Sequence, residues 1–291
     1  MKNRTIILSL FACLFAAVPA DAGLPIDCEH VTRRAGPAHE GVAVLEYHHF
    51  LTNAYAAAHP AELTDMTMSA AQLEAQLAWL AAQHAHPLTV PELLAHISGA
   101  HPAPPRSFVI TIDDGYESVY TVAWPVLKKH GFPADLALIV LATEDPHQWQ
   151  TLHPGALPHL SWTELAAMRP LVTVDSHTYN KHDKLATIAA GLPEAQRPAF
   201  YREVTADLVL ARQLIQRRTG TSAERLIWPH GDASPALERA AAEAGHTATF
   251  YGAEELISVH ADPMEIGRLN AGSGLLTLDG FVALLHKAGW R

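Results

Sequence analysis

Short apolar runs alternate with longer segments of helical periodicity along this chain, about seven times over. Residues 42–47, 107–112, 134–141, 171–174, 226–228, 246–250 and 265–268 read as strands. Residues 69–82, 90–97, 119–130, a segment opening at Ser161, 194–219, 234–244 and 276–288 read as helices. Ser69 caps the first of these, with Leu73, Leu77 and Leu80 on one face. Ser161-Trp162-Thr163-Glu164 is a capping box, and Pro198 sets the start of the 194–219 helix a little later than Glu194. Residues 99–106 and 143–160 read as loops from their prolines. Strands joined by helices must run parallel, so the fold class is α/β. Two closures compete, a barrel and an open doubly wound sheet. No G-x-G-x-x-G follows a first strand, so a dinucleotide fold gains no support. No repeat and no linker divides residues 41–291, which read as one domain. In a barrel, chemistry collects where strands end.

The 49% hydrophobic content is enough for a core and excludes disorder as the main state. The net charge of −10 has the wrong sign for a nucleic-acid binder. Lys2 and Arg4, an apolar run over 5–18 and Pro19-Ala20-Asp21-Ala22 form a secretory leader, with cleavage expected after Ala22 and residues 23–40 as an extension. A lipoprotein reading through Cys13 is weaker, because the apolar run continues past it. The apolar run is too short to span a bilayer, so no transmembrane segment is expected in the mature chain. Cleavage leaves only Cys28, which excludes an internal disulfide and a cysteine zinc site. The mature protein is therefore expected to be secreted or periplasmic.

Three strand ends carry chemistry. Thr111-Ile112-Asp113-Asp114-Gly115 sets two carboxylates at a turn; at a splayed strand end, one can hold a cation while the other reaches water. An ordinary Asp-Gly turn explains the dipeptide equally well. Ser176-His177-Thr178-Tyr179-Asn180-Lys181-His182 spaces two histidines five apart, which on a helix would rotate them about 140° from one another. They converge only in a loop, where with one carboxylate they make a two-His, one-carboxylate set. Among 19 histidines, close pairs also arise by chance. Arg225-Leu226-Ile227-Trp228-Pro229-His230-Gly231 closes a third strand; Pro-x-Gly is common turn chemistry, and its functional use is a backbone N–H aimed at an oxyanion. Tyr47-His48-His49 ends the first strand at the same mouth. Trp124, Trp149 and Trp162 are candidate sugar-stacking surfaces, with Trp124 read as core because it lies inside a helix.

TIDDG, SHTYNKH and WPHG, in that order at strand ends, resemble the polysaccharide deacetylases of carbohydrate esterase family four, the NodB-homology fold. LEYHHF, QLEAQLAWL and GYESVYTVAWPVLKKHGFPADLALIV are similar to the same family, and the resemblance covers about residues 40–290. Ser-His-Thr with five-residue histidine spacing resembles the subgroup acting on poly-N-acetylglucosamine exopolysaccharide. The resemblance implies a single distorted (β/α)7 barrel. It implies Asp114, His177 and His182 as ligands of a divalent metal, zinc foremost, with cobalt or nickel as alternatives. It implies Asp113 as the general base, and Arg225, Pro229 and the His230 backbone as an oxyanion and substrate-binding motif. His230 stands where the family often has Tyr or Phe. The usual C-terminal Leu-x-His motif supplying a general acid is not found; His260 and His286 lie in that region without fitting it, and His48 is a substrate contact. The function implied is removal of acetyl groups from N-acetylglucosamine units of an envelope or extracellular polymer, with acetate released. Peptidoglycan or chitin-like oligomers are the alternative substrates, and a carbohydrate-binding scaffold that has lost catalysis is the alternative class.

Overall fold

The computed structural model describes residues 41–291. The leader and extension expected over residues 1–40 lie outside the described residues. Seven strands form the barrel: β1 (Ala43–Tyr47), β2 (Ser107–Ile112), β3 (Ala134–Leu138), β4 (Val172–Ser176), β5 (Arg225–Ile227), β6 (Ala248–Gly252) and β7 (Ile266–Asn270). Each pairs in parallel with the next from β2 to β7, β7 pairs β1, and β1 pairs β2, with Tyr47 opposite Ile112. The ring is therefore closed, as the resemblance implied, and not an open doubly wound sheet. A two-residue strand, His86–Pro87, adds to the edge of β2, and His49–Leu51 pairs Thr67–Ser69 in a separate small sheet.

Alternation along each strand sorts its residues between two environments. Val44, Val109, Ala137, Ile227, Phe250 and Ile266 fill the barrel. Leu45, Ile110, Leu136 and Val174 face outward, into a core with Leu73, Leu77 and Leu80 of α1 (Ala70–Ala82), Leu127 and Leu165. Every residue of β2 is buried, which is why it reads as an unbroken apolar run. Ser69 caps α1 with a complete capping box through Gln72, and Ser161 does the same through Glu164 for α2 (Trp162–Met168). The long α3 (Arg197–Thr219) carries Pro198 in its first turn, and α4 (Pro235–Glu243) starts on the Ser234 cap.

Two expectations needed correction. The apolar run over 134–141 is a strand only to Leu138; Val140–Glu144 is a short helix. Past Leu138 the ladder partners end, and the Val140 and Leu141 amides donate instead to Thr178 and Tyr179 carbonyls of the next loop. Within 143–160, read as loop, Pro146–Leu152 is a helix capped by Asp145. No helix among the described residues is long and apolar enough to cross a membrane.

Candidate active site

The strand ends converge at the C-terminal mouth of the barrel. Asp113 continues the inward-facing series Val109, Thr111, and its amide donates to the Tyr47 carbonyl at 2.9 Å. Asp114 then takes φ +67° and Gly115 φ +82°. That left-handed step breaks the pleat and brings Asp114 to the histidines at the neighbouring strand end, although adjacent residues of a strand point apart. At Gly115 the left-handed backbone favours glycine, and a Cβ there would lie 2.6 Å from Leu138 Cδ2. His177 follows β4, and Thr178 at φ +75° turns the chain. Asp207 of α3 accepts from the Tyr179 and Asn180 amides at 2.8 and 2.9 Å, fixing the loop that presents His182. Asp114, Thr178 and His230, three non-glycine residues with positive φ, all stand at this mouth.

Asp114 Oδ1 is 3.4 Å from His177 Nε2 and 3.1 Å from His182 Nε2. His177 Nδ1 is 2.7 Å from the Ile227 carbonyl, which can only accept, so Nδ1 carries a proton and Nε2 is the ring atom turned to the carboxylate. Asp114 Oδ1 is buried and has no well-aligned hydrogen-bond donor. Ligands about 2.0–2.1 Å from one tetrahedral zinc stand about 3.3 Å apart, and the observed spacings agree. The three side chains therefore fit a divalent cation. Burial alone would raise Asp114, but the two imidazoles outweigh it and hold its carboxyl well below the usual range.

A second carboxylate–histidine group, Glu46, His48 and Asp113, lies beside the first. It already holds a cation. Arg268 of β7 donates Nη1 to Asp113 Oδ1 and Nη2 to Asp113 Oδ2, both at 2.8 Å, and Nη1 to Thr111 Oγ1 at 3.2 Å. Arg268 and Asp113 are each 2% exposed. Burial would raise Asp113, but the Arg268 charge and then the His48 ring lower it, so it stands ionised as an acceptor. His48 Nε2 is 3.5 Å from Asp113 Oδ2. His49 turns away to Ser118, with Nδ1 2.9 Å from Oγ, and its ring meets Tyr116 edge-on. Burial, and then nearness to Asp114, raise the Tyr116 hydroxyl above its ordinary range.

The structure thus brings together Asp113, Asp114, His177, His182 and His48. It places His230 next to them, with its ring centroid 5.0 Å from that of His182, φ +57°, and the side chain exposed. Pro229 is buried in the same turn. Arg225, the first residue of its motif, has its guanidinium engaged by Asp175 and Asp135 inside the barrel. Because Arg225 precedes the inward-facing Ile227 by two residues, it lies on the floor side of the apolar layer. The candidate acids of the C-terminal region are elsewhere: His286 is exposed on α5 (Leu278–Ala288), and His260 is exposed with its amide on the Ile97 carbonyl. Of the tryptophans, Trp149 is buried under His153, Trp162 donates to Glu144, and Trp124 lies under Lys128 Nζ. Sequence reasoning missed Arg268 and Asp207. Arg268 had a signal: a charged residue in the apolar run Ile266–Asn270, in phase with the inward face.

The chain is similar to a poly-β-1,6-N-acetyl-D-glucosamine N-deacetylase of Escherichia coli K12, 25% identical over 231 residues, 72% of this chain and 34% of that protein. It spans about a third of that relative's length. An enzyme of the same name from Staphylococcus aureus MRSA252 is 24% identical over 255 residues, 84% of this chain and 81% of that one. The structure of IcaB from Ammonifex degensii superposes with a TM-score of 0.67 at 22% identity, covering 87% of this chain and 98% of that one, and so shares the fold. The profile of the family described as polysaccharide deacetylase matches residues 100–249, which include β2 through β5 and all three strand-end motifs. With that match over half its length and the barrel closed as described, the chain belongs to the polysaccharide deacetylase family.

Proposed function

We propose that the protein is a metal-dependent N-deacetylase that removes acetyl groups from N-acetylglucosamine units of an extracellular or envelope polysaccharide and releases acetate. The observation that carries this reading is the meeting of Asp114, His177 and His182 at the barrel mouth with Asp113 free of that group and gripped by Arg268. The curated relatives named for poly-β-1,6-N-acetyl-D-glucosamine favour that polymer. Export of the chain through its leader at residues 1–22 belongs to the same proposal, with residues 41–291 as the deacetylase domain.

Asp114, His177 and His182 would hold the cation, zinc by donor type, which polarises the acetyl carbonyl and acidifies water. Asp113 takes the proton from the attacking water. Arg268 keeps both Asp113 oxygens hydrogen-bonded and the carboxylate in one orientation. The His230 backbone N–H donates to the developing oxyanion, a contact whose loss commonly costs about 3–4 kcal/mol. A proton must then reach the departing amine. His48 is the imidazole outside the ligand set that shares a contact with Asp113, so it carries that proton, a role the sequence left unassigned.

The test is to incubate the zinc-loaded protein with poly-β-1,6-N-acetylglucosamine oligomers, chitin oligomers and peptidoglycan fragments, following acetate and the mass of each sugar. Acetate release with loss of acetyl from the β-1,6 oligomers is expected. Release from peptidoglycan alone would reassign the polymer, and no release from any of them would overturn the reading.

A further inference from the structure

The order of strands around the barrel sets the end of β2, with Asp113 and Asp114, between the ends of β1 and β3. The chain leaving each of those two neighbours forms a short helix, Asn53–Ala58 after β1 and Pro146–Leu152 after β3. The two helices differ in sequence but end alike. Each carries a large aromatic ring one turn before the histidine that closes it, Tyr55 before His59 and Trp149 before His153. In both, the histidine amide donates to the carbonyl of the aromatic residue, at 2.9 and 2.8 Å. The imidazole then lies over the ring, with centroids 4.2 Å apart at 23° in the first pair and 3.7 Å apart at 33° in the second. Tyr55 is 43% exposed and His59 is exposed; Trp149 is buried and serves as the bed on which the exposed His153 lies.

Both loops are fastened to the mouth. In the first, the His49 amide donates to the Met66 carbonyl and Asn270 Nδ2, at the end of β7, donates to the Asp65 carbonyl, each at 3.1 Å. In the second, the Leu160 amide donates to the Gly115 carbonyl and the Glu117 amide to the Pro158 carbonyl, both at 2.9 Å, so the loop is pinned on either side of the Asp-Asp-Gly turn. From that turn a row of rings leads to the stack: Tyr116 to His159 at 4.9 Å, His159 to Trp149 at 5.6 Å, then Trp149 to His153. Rings held this way lose little freedom when a ligand binds. A β-linked N-acetylglucosamine unit carries its substituents equatorially, so C–H groups line both faces of the sugar and hydroxyls line its edge. An imidazole or phenol offers the complement, a flat apolar body with a polar tip.

We propose that the Tyr55–His59 and Trp149–His153 stacks are platforms for the sugar units on either side of the one being deacetylated. The protein then recognises a run of consecutive units of a β-linked amino-sugar polymer, laid across the ends of β1, β2 and β3, and not a single sugar. This rests on the deacetylase reading of the mouth and makes the two loops the determinants of chain-length preference.

The first measurement needs no catalysis. The metal-free protein is titrated with a β-1,6-linked N-acetylglucosamine pentamer, a chitin pentamer and the free monosaccharide, and Kd is read from backbone amide shifts. The parent binds one of the pentamers more tightly than the monosaccharide. In His153→Ala and in Tyr55→Ala that preference falls about three- to tenfold, the scale of one ring contact, and in the double variant by the product of the two. Tyr55→Phe keeps the ring, drops the 3.0 Å bond to Glu62 and retains the preference. The second measurement is acetate release by the zinc-loaded variants, in which the preference in kcat/KM for the same pentamer over the monosaccharide falls by the same factor. A preference equal in the parent and both alanine variants would overturn the proposal, and so would a parent that binds neither pentamer more tightly than the monosaccharide. A loss in one alanine variant alone would overturn the two-sided arrangement. A pentamer preference that the variants lower, in a parent that releases no acetate, would uphold the platforms and overturn the deacetylase reading instead.

Discussion

Two adjacent aspartates meet different partners because one backbone angle separates them. Asp113 keeps the strand's inward direction and finds Arg268; Asp114, at φ +67°, finds two imidazoles. Their substitutions should separate accordingly. Asp113→Asn leaves the triad intact, so zinc content stays at the parent level while kcat for acetate release falls by about 10²–10⁴. His177→Ala removes a proposed ligand and the contact to the Ile227 carbonyl, and zinc content is expected to fall with activity. Metal analysis of the two purified variants checks this pair, and equal zinc loss in both would contradict the division of labour. The residue types were legible in the sequence, including the spacing of His177 and His182. The partner of Asp113 was not, because Arg268 lies 155 positions away and only closure of the ring brings it opposite.

At the level of elements, the strand-to-helix turns decide what reaches the mouth. The turn after β5 is one such case. Gly231 has φ +62°, and a Cβ there would lie 2.7 Å from the Gly252 amide nitrogen of β6. Gly231→Ala costs about 1–2 kcal/mol from the left-handed backbone, and relief of the clash displaces His230. The expected result is a lower denaturation midpoint together with a kcat reduced about 10–100-fold. Gly155→Ala is the control: φ is +85° but nothing lies within 4 Å, so it keeps parental kinetics. Denaturant melts and steady-state rates on both variants test this. Local chemistry announced most element ends, as with the boxes at Ser69 and Ser161. It failed over 134–141, where one apolar run serves as strand and then buried helix, since burial on all sides erases periodicity.

Across the whole molecule, the barrel buries polar groups that report on its integrity. Glu238 of α4 accepts from Trp228 Nε1 at 2.9 Å and Thr249 Oγ1 at 2.7 Å, tying the helix to β6. Burial, with some help from Glu265 and Asp262, pushes its carboxyl up to about 7. The folded state thus holds a proton that the unfolded chain releases near its ordinary value, about 4.3. That stability is complete below the unfolded value and is lost as pH rises through about 7. The melting temperature of the parent should fall between about pH 5 and pH 8 relative to Glu238→Gln, whose uncharged amide replaces the protonated acid. Parallel curves for the two proteins would remove this assignment.

The sequence by itself determined the α/β class, the three strand ends that carry the motifs and the donor types gathered there, because hydrophobic period, caps and turn residues act over a few neighbouring positions. Only the tertiary structure decided that the sheet closes, that Asp113 pairs with Arg268 while Arg225 is spent on Asp135 and Asp175, and that Glu46 and His48 share one corner. Those are contacts between distant strands, and their identity depends on register around a ring, which no local pattern encodes.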